Sequence, residues 1–237
     1  MKTPVVLLPA LLCNAGLFIH QIKALENEAD FFVPDLGLDT NVADAARRIL
    51  SQIRGQFVLS GISMGGYVAF EILRQAPQRV AGLILMDTNA HADPEPARKK
   101  RLEMIETAQT QGIEAVMESA LFGIISPNHR NNDIIRHILE HMAQTTGVDK
   151  YVNEQKTIMS RPDSTELLKH IRCPVLVSGG AQDTLSPPES LDQMTAQIPT
   201  AVHAVIADSG HLPPLENPAA VTAAWRVFLK QIVFRKE

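Results

Sequence analysis

The sequence predicts an α/β fold, a mostly parallel sheet of about six strands with helices on both faces. Three observations predict it. The 237 residues have an ordinary globular composition, 45% hydrophobic and 20% charged. Short runs rich in Val, Ile and Leu alternate with helical patterns, which is typical of parallel strands joined by helices. The alternation stops only between His91 and about His170, where the pattern is helical throughout.

Each element is predicted from its apolar pattern and the turn residues around it. Strands are expected at residues 5–8, 31–33, 57–60, 82–86, 174–178 and 201–206. Helices of the sheet layers are expected at 41–53, from about 63 to 75, and at 218–233.

The stretch after the fourth strand predicts consecutive helices at 94–111, 113–122, 133–145, 148–159 and 165–170. Roughly eighty helical residues between two buried strands indicate an insertion over one end of the sheet. We therefore predict a core formed by residues 1–90 and 171–237 and a helical cap formed by residues 91–170.

Charge and cysteine content exclude several classes of protein. A net charge of −4 gives no reason to expect a nucleic-acid or anionic-membrane partner. No apolar run reaches the roughly 20 residues that span a bilayer. Cys13 and Cys173 are the two cysteines, too few for a disulfide scaffold. A small molecule is the expected partner, and the oligomeric state stays open.

One motif predicts a catalytic nucleophile. Residues 61–65, Gly-Ile-Ser-Met-Gly, fit the pattern G-x-S-x-G between a strand and a helix. A side chain at Gly61 or Gly65 would collide with neighbouring backbone as the chain reverses, and the tight turn presents the Ser63 hydroxyl outward. Ser63 is the predicted nucleophile, and the alternative is a glycine-rich turn that only packs a helix on a sheet.

A serine hydroxyl needs a base, and in this architecture the expected order along the chain is serine, acid, histidine. His211 and Asp183 both follow later strands, at the carboxyl edge where open α/β sheets place their sites. His211 is the predicted base and Asp183 the acid that orients it. Asp208 is a rival acid, but its position three residues before His211 favours a role in shaping that turn. Asp87, at the end of the fourth strand, is another rival whose ordinary role is to cap a turn.

The chain resembles the α/β-hydrolase family, in particular small carboxylesterases and 3-oxoadipate enol-lactonases. Three motifs in the family's order carry the resemblance, GISMGGYVAFEILRQAPQRVAGLILMDT (61–88), RCPVLVSGGAQDTLSPPE (172–189) and SGHLPPLENP (209–218). It covers nearly the whole core and covers the cap poorly. The resemblance implies a serine hydrolase, for which no metal or organic cofactor is required.

The resemblance also implies an oxyanion hole formed by two backbone N–H groups. One is that of Met64, directly after the serine. The other follows the first strand, and by position it is that of Leu11, with Leu12 or Ala10 as alternatives because the family's usual His-Gly is absent. A backbone donor of this kind contributes roughly 3–4 kcal/mol.

The apolar N-terminus is interpreted as this first strand rather than as a secretion signal, because Pro9 interrupts it and no small-residue cleavage site follows. A cytoplasmic location is therefore expected. Cys13 then becomes a loop thiol near the active site, open to alkylation.

Two other signals favour ordinary structure. His137, Glu140 and His141 match H-x-x-E-H, a zinc metalloprotease pattern, but the helix is amphipathic and no third ligand is evident. The basic run at 98–101 is followed by Glu103 and Glu106 and is interpreted as a solvated helix face.

The expected function is hydrolysis of a carboxylic ester, lactone or thioester with a small, apolar acyl group through an acyl-enzyme on Ser63. The same triad also serves C–C bond hydrolysis, acyl transfer or perhydrolysis in other proteins, because a fold does not determine a reaction. A noncatalytic ligand receptor on the same fold is the alternative from another class.

Overall fold

Six strands form one sheet in the computed structural model, which describes residues 2–234. Their order across the sheet is β2-β1-β3-β4-β5-β6, and every neighbouring pair is parallel, so the predicted fold class is confirmed. The second strand begins two residues earlier than its apolar run. The bounds are β1 Thr3–Leu8, β2 Ala29–Phe32, β3 Phe57–Ile62, β4 Val80–Met86, β5 Val175–Gly180 and β6 Ala201–Ile206.

Helices connect these strands. The short helices α1, α8 and α9, of seven, eight and four residues, were not expected from the sequence. The bounds are α1 Ile19–Leu25, α2 Val42–Gln52, α3 Met64–Gln75, α4 Glu95–Gln111, α5 Glu114–Ala120, α6 Asp133–Met159, α7 Thr165–Leu168, α8 Pro188–Thr195, α9 Pro213–Glu216 and α10 Pro218–Leu229.

The two faces of the sheet have separate hydrophobic cores. Alternate residues of β1 divide between them, because side chains along a strand point to opposite faces. Val5 and Leu7 lie in the core that contains α1 and α10. Val6 and Leu8 lie in the core that contains α2, α3 and α8. Strands β3 and β4 are buried on both faces, which explains their continuous apolar sequences.

The strand order places a crevice between β1 and β3. The chain moves to one side from β1 to β2 and to the other side from β3 onward, so the connections leave the carboxyl ends of β1 and β3 in opposite directions. Open α/β sheets bind ligands at such a switch point. The loop after β1 and the turn after β3 are the two segments that carry the predicted oxyanion hole and nucleophile.

The connection from β4 to β5 contains α4 to α7, so the helical insertion after the fourth strand is present. Gly147, with φ 67° and ψ 176°, interrupts α6 and divides it into the two helices expected on either side of it. The division into a core and a cap at residues 90 and 171 stays a prediction. Within residues 2–234, no helix combines the length and apolar character needed to cross a membrane.

Candidate active site

Ser63 lies on the turn between β3 and α3, with φ 52° and ψ −116°. The turn closes only without side chains on either side of the serine. A Cβ on Gly65 would lie 2.0 Å from the carbonyl oxygen of Leu8, and one on Gly61 would lie 2.4 Å from that of Gly65. The two glycines thus have the steric reason expected from the motif, and the strained turn exposes the hydroxyl at the crevice.

The structure brings three predicted side chains together from distant parts of the chain. Ser63 Oγ lies 2.9 Å from His211 Nε2, and His211 Nδ1 lies 2.7 Å from Asp183 Oδ2. With the imidazole proton on Nδ1 donated to the carboxylate, Nε2 is free to accept the serine hydroxyl. Both His211 and Asp183 are buried, so water does not compete for the hydrogen bond that joins them.

Asp183 is held in its ionised form. Its Oδ1 accepts the Leu185 N–H at 2.8 Å. Burial by itself raises the pKa of Asp183, but the hydrogen bond and charge of His211, together with the hydrogen bonds from Leu185 and Asp87, outweigh burial and lower the pKa below its ordinary value. A carboxylate in this state can orient the imidazole and stabilise its protonated form.

Asp87 does not cap a turn, contrary to its ordinary role at a strand end. It is fully buried, accepts the Gly180 N–H at 2.9 Å through Oδ1, and lies within 4.8 Å of the Asp183 and His211 donor atoms. Burial, followed by the charge of Asp183, raises the pKa of Asp87 well above its usual range. The raised pKa favours the protonated form of Asp87, which can donate its proton to the neighbouring Asp183 carboxylate.

The other rival acid, Asp208, lies away from the imidazole. Its side chain is exposed and accepts a hydrogen bond from Asn128 at 2.7 Å, and its backbone oxygen lies 2.9 Å from His129 Nε2. Asp208 thus shapes its own turn, as expected, and joins it to the helical insertion.

Glu216 fixes the loop that carries His211. Its Oε2 accepts the N–H groups of Gly210 at 2.8 Å and Ser126 at 2.6 Å, and its Oε1 accepts that of Leu212 at 2.9 Å. The bonds to residues 210 and 212 hold the backbone on both sides of the imidazole. The bond to Ser126 ties the same loop to the helical insertion, and no local sequence signal indicated this contact.

The loop after β1 supplies free backbone donors beside Ser63. The N–H of Leu12 is taken by Glu154, which accepts it at 2.9 Å, and Leu12 has a φ of 60°. The Leu11 and Met64 N–H groups donate to no acceptor within residues 2–234. Leu11 lines the same cavity as Ser63. The N–H of Ala10, the other alternative from the sequence, also has no acceptor in the described residues, and Ala10 lines the same cavity. Leu11 and Met64 therefore stay the predicted oxyanion donors, with Ala10 as the alternative to Leu11.

Cys13 differs from the sequence expectation. It is buried in the core beneath the loop, and burial, followed by the charge of Glu154, raises the pKa of its thiol. The expectation of an alkylation-sensitive loop thiol is therefore wrong, because the reactive thiolate is disfavoured and inaccessible.

A cavity of about 310 Å³ opens at Ser63 and His211. One wall is apolar and includes Met104, Ile124 and Ile158. The lining also contains Arg101, which the sequence placed on a solvated face; Arg101 instead turns inward to a buried aspartate. The basic run is therefore only partly solvated.

The H-x-x-E-H residues do not form a metal site. His137 and His141 are exposed on α6, and no third donor joins them in the described part of the chain. The only described group with donor atoms close enough for a metal ion is Asp87, Asp183 and His211, in which His211 and Asp183 already share a hydrogen bond.

The family model described as the alpha/beta hydrolase family matches residues 5–225, so the chain belongs to the α/β-hydrolases and the predicted enzyme class is confirmed. The fold superposes on a thermophilic esterase from Thermogutta terrifontis, solved with malate bound, with a TM-score of 0.89 and 32% identity over 98% of this chain and 90% of that one.

Two curated relatives are more distant. The putative non-heme bromoperoxidase BpoC of Mycobacterium tuberculosis is 26% identical over 215 residues, 89% of this chain and 80% of that protein. The pimeloyl-(acyl-carrier protein) methyl ester esterase of Neisseria meningitidis serogroup B is 27% identical over 199 residues, 80% of this chain and 75% of that protein.

Proposed function

We propose that this enzyme hydrolyses carboxylic esters, lactones or thioesters through an acyl-enzyme on Ser63. The observation that carries the proposal is the hydrogen-bonded path from Ser63 Oγ through His211 to Asp183, at 2.9 and 2.7 Å, opening on one cavity. Esterase relatives support the ester as the bond that is cleaved.

In the first half-reaction, Ser63 Oγ attacks the acyl carbon while His211 Nε2 takes the hydroxyl proton. The negative charge that develops on the carbonyl oxygen is stabilised by the N–H groups of Leu11 and Met64. The C–O or C–S bond of the substrate then breaks, and His211 gives its proton to the leaving alkoxide or thiolate. Asp183 stays ionised throughout and stabilises the imidazolium.

In the second half-reaction, His211 takes a proton from water, and the hydroxide attacks the acyl carbon on Ser63. The same two amides hold the oxyanion. The ester bond to Ser63 breaks, the serine recovers its proton from His211, and the carboxylic acid leaves. No metal or organic cofactor is needed for either step.

Residues 91–170 act in this proposal as a cap over the cavity. The backbone oxygen of Ile124 accepts the N–H of His211 at 3.0 Å, and Met104 and Ile124 contribute to the apolar wall. This wall suits a small acyl group. A cytoplasmic location remains a prediction from the sequence.

Perhydrolysis is a second candidate, favoured by the relative named as a putative bromoperoxidase. Hydrogen peroxide would replace water in the second half-reaction, so that the acyl group leaves as a peracid and Ser63 regains its proton. Peracid formed from acetate and hydrogen peroxide, compared with ester turnover by the same sample, separates the two activities.

The test combines active-site labelling with a substrate panel. A fluorophosphonate should add to Ser63 alone, and Ser63→Ala should stay unlabelled and lose about 10⁴- to 10⁶-fold in kcat on p-nitrophenyl acetate and butyrate. A chelator should leave activity unchanged. Folded protein that takes up no label and cleaves no ester, lactone or thioester would refute the proposal and favour a noncatalytic receptor.

A further inference from the structure

The polar wall of the catalytic cavity is formed by two arginines around one aspartate. Arg101, from α4, meets Asp93 through two nitrogens, with Nε 3.0 Å from Oδ2 and Nη2 3.3 Å from Oδ1. Arg161, just after α6, approaches the same carboxylate, with Nη1 2.7 Å from Oδ1. All three residues line the cavity that contains Ser63 and His211.

This cluster has one positive charge in excess and little water to balance it. The Asp93 side chain is 0% exposed, that of Arg161 6% and that of Arg101 21%. Arginine does not lose its proton in proteins, and an uncompensated buried charge is costly. An anion entering the cavity would relieve this imbalance.

The rest of the cavity lining adds positive charge and no further acid. Lys100 lines the cavity and forms no ion pair with residues 2–234. Asp93 is the only carboxylate among the described lining residues. The lining therefore carries three cations against one anion, a net charge of +2, on a chain whose net charge is −4.

One arginine nitrogen on this wall has no acceptor in the described residues. Arg161 uses Nε for the His91 carbonyl at 2.9 Å and Nη1 for the Ile158 carbonyl and Asp93, which leaves Nη2 without an acceptor in the described residues. Its guanidinium stacks 4.1 Å from the Tyr67 ring centroid. Tyr67 follows Ser63 by one helical turn, about 6 Å of rise along α3.

We propose that the enzyme prefers ester or lactone substrates that carry a free carboxylate, bound by Arg161 and Arg101 with Lys100 at the rim. This inference rests on the proposed ester hydrolysis. A guanidinium N–H forms a charge-assisted hydrogen bond with a carboxylate, which is stronger than a hydrogen bond between neutral groups. The apolar wall formed by Met104 and Ile124 then contacts the methylene groups between the carboxylate and the scissile bond.

The test compares pairs of substrates with the same carbon chain, in which a carboxyl group is either free or methylated. Monomethyl succinate, glutarate and adipate, with the carboxylate on the acyl side, are measured against their dimethyl esters. Acetoxyacetate, with the carboxylate on the alcohol side, is measured against its methyl ester. We expect kcat/KM to favour the anionic member by at least about tenfold in one of the two sets, because hydrogen bonds to charged groups are strong.

Variants then identify the residues that cause the preference for anionic substrates. Arg101→Gln should lower the ratio of anionic to neutral kcat/KM by about tenfold or more, and Arg101→Lys should restore part of it. Lys100→Gln should lower the same ratio by up to about fivefold, since exposed charges contribute less. Lys99→Gln is the matched control, because Lys99 is exposed on the same helix outside the cavity, and it should leave the ratio unchanged.

A measurement on the unmodified enzyme does not depend on how the variants fold. Free glutarate or adipate should inhibit cleavage of p-nitrophenyl acetate competitively, and the matching neutral diamides should not. If neutral esters are cleaved but neither anionic set is preferred and no dicarboxylate inhibits, the cluster is a structural ion-pair network and the inference is overturned. If no ester is cleaved and Ser63 takes no label, the proposed function itself fails.

Discussion

Replacing Asp87 by asparagine tests which of two touching carboxyl groups serves His211. A protonated acid and an amide have nearly the same shape and hydrogen-bonding capacity. In Asp87→Asn, the amide oxygen can accept the Gly180 N–H, which Asp87 accepts at 2.9 Å, and the NH₂ group can donate to Asp183 as the acid proton does. We expect kcat/KM to stay within about threefold of the unmodified enzyme, a change of under about 0.7 kcal/mol.

Two further variants show how large the loss of activity is when the catalytic acid or the Asp87 hydrogen bonds are removed. Asp183→Asn should lose about 10⁴-fold in kcat, because the amide favours the wrong imidazole tautomer and removes the charge that stabilises the imidazolium. Asp87→Ala should leave the buried Gly180 N–H unpaired and remove a donor from Asp183. Each orphaned buried group costs about 1–3 kcal/mol, so both stability and turnover should fall.

The assay is kcat/KM for p-nitrophenyl butyrate across pH 5 to 10, with a thermal melt of each variant to establish that it folds. The reasoning is refuted if Asp87→Asn loses as much activity as Asp183→Asn. That result would mean that Asp87 is ionised and acts as the working acid, the rival assignment open from the sequence.

Two further predictions concern the loops that hold the site. Burial raises the pKa of Glu154 from 4.5 to about 8, so the folded state keeps a proton that the unfolded state loses, and stability falls as pH rises between these values. The free energy of unfolding should fall by about 2–3 kcal/mol from pH 6 to 8. Glu154→Gln should remove this pH dependence, and Glu103→Gln, at an exposed position, should keep it. Equal slopes of stability against pH in all three proteins would show that Glu154 is not the source. Glu216→Ala should orphan three backbone N–H groups, lower stability by roughly 3–6 kcal/mol and reduce kcat more than it changes KM. Exposed Glu189→Ala is its control in denaturant titrations, and a Glu216→Ala protein as stable and active as that control would show that these bonds do not position His211.

Local patterns in the sequence were sufficient to predict the strands of the sheet. Fully buried parallel strands appear in the sequence as continuous apolar runs, and the longer helices between them show the hydrophobic period of an α-helix. The turn around Ser63 was also predictable from the G-x-S-x-G motif. Gly61 is required by a close contact with the backbone of Gly65 four residues later, whereas the contact that requires Gly65 is with the distant Leu8 on β1. The order of Ser63, Asp183 and His211 along the chain follows from the fold class, which brings the ends of parallel strands to one edge.

Contacts between distant segments were decided only by the tertiary structure. Asp87 and Asp183 are 96 positions apart and meet because β4 and β5 are neighbours in the sheet. Burial at this place, followed by the charge of Asp183, raises the pKa of Asp87. Glu154 reaches the loop after β1 from the helical insertion and takes the Leu12 N–H. In the sequence, Arg101 belongs to a basic run that predicts a solvated helix face. Only the tertiary structure shows that it pairs with Asp93 next to Arg161. In each case the side chain's state depends on burial and on a remote partner, and neither is encoded in the spacing of nearby residues.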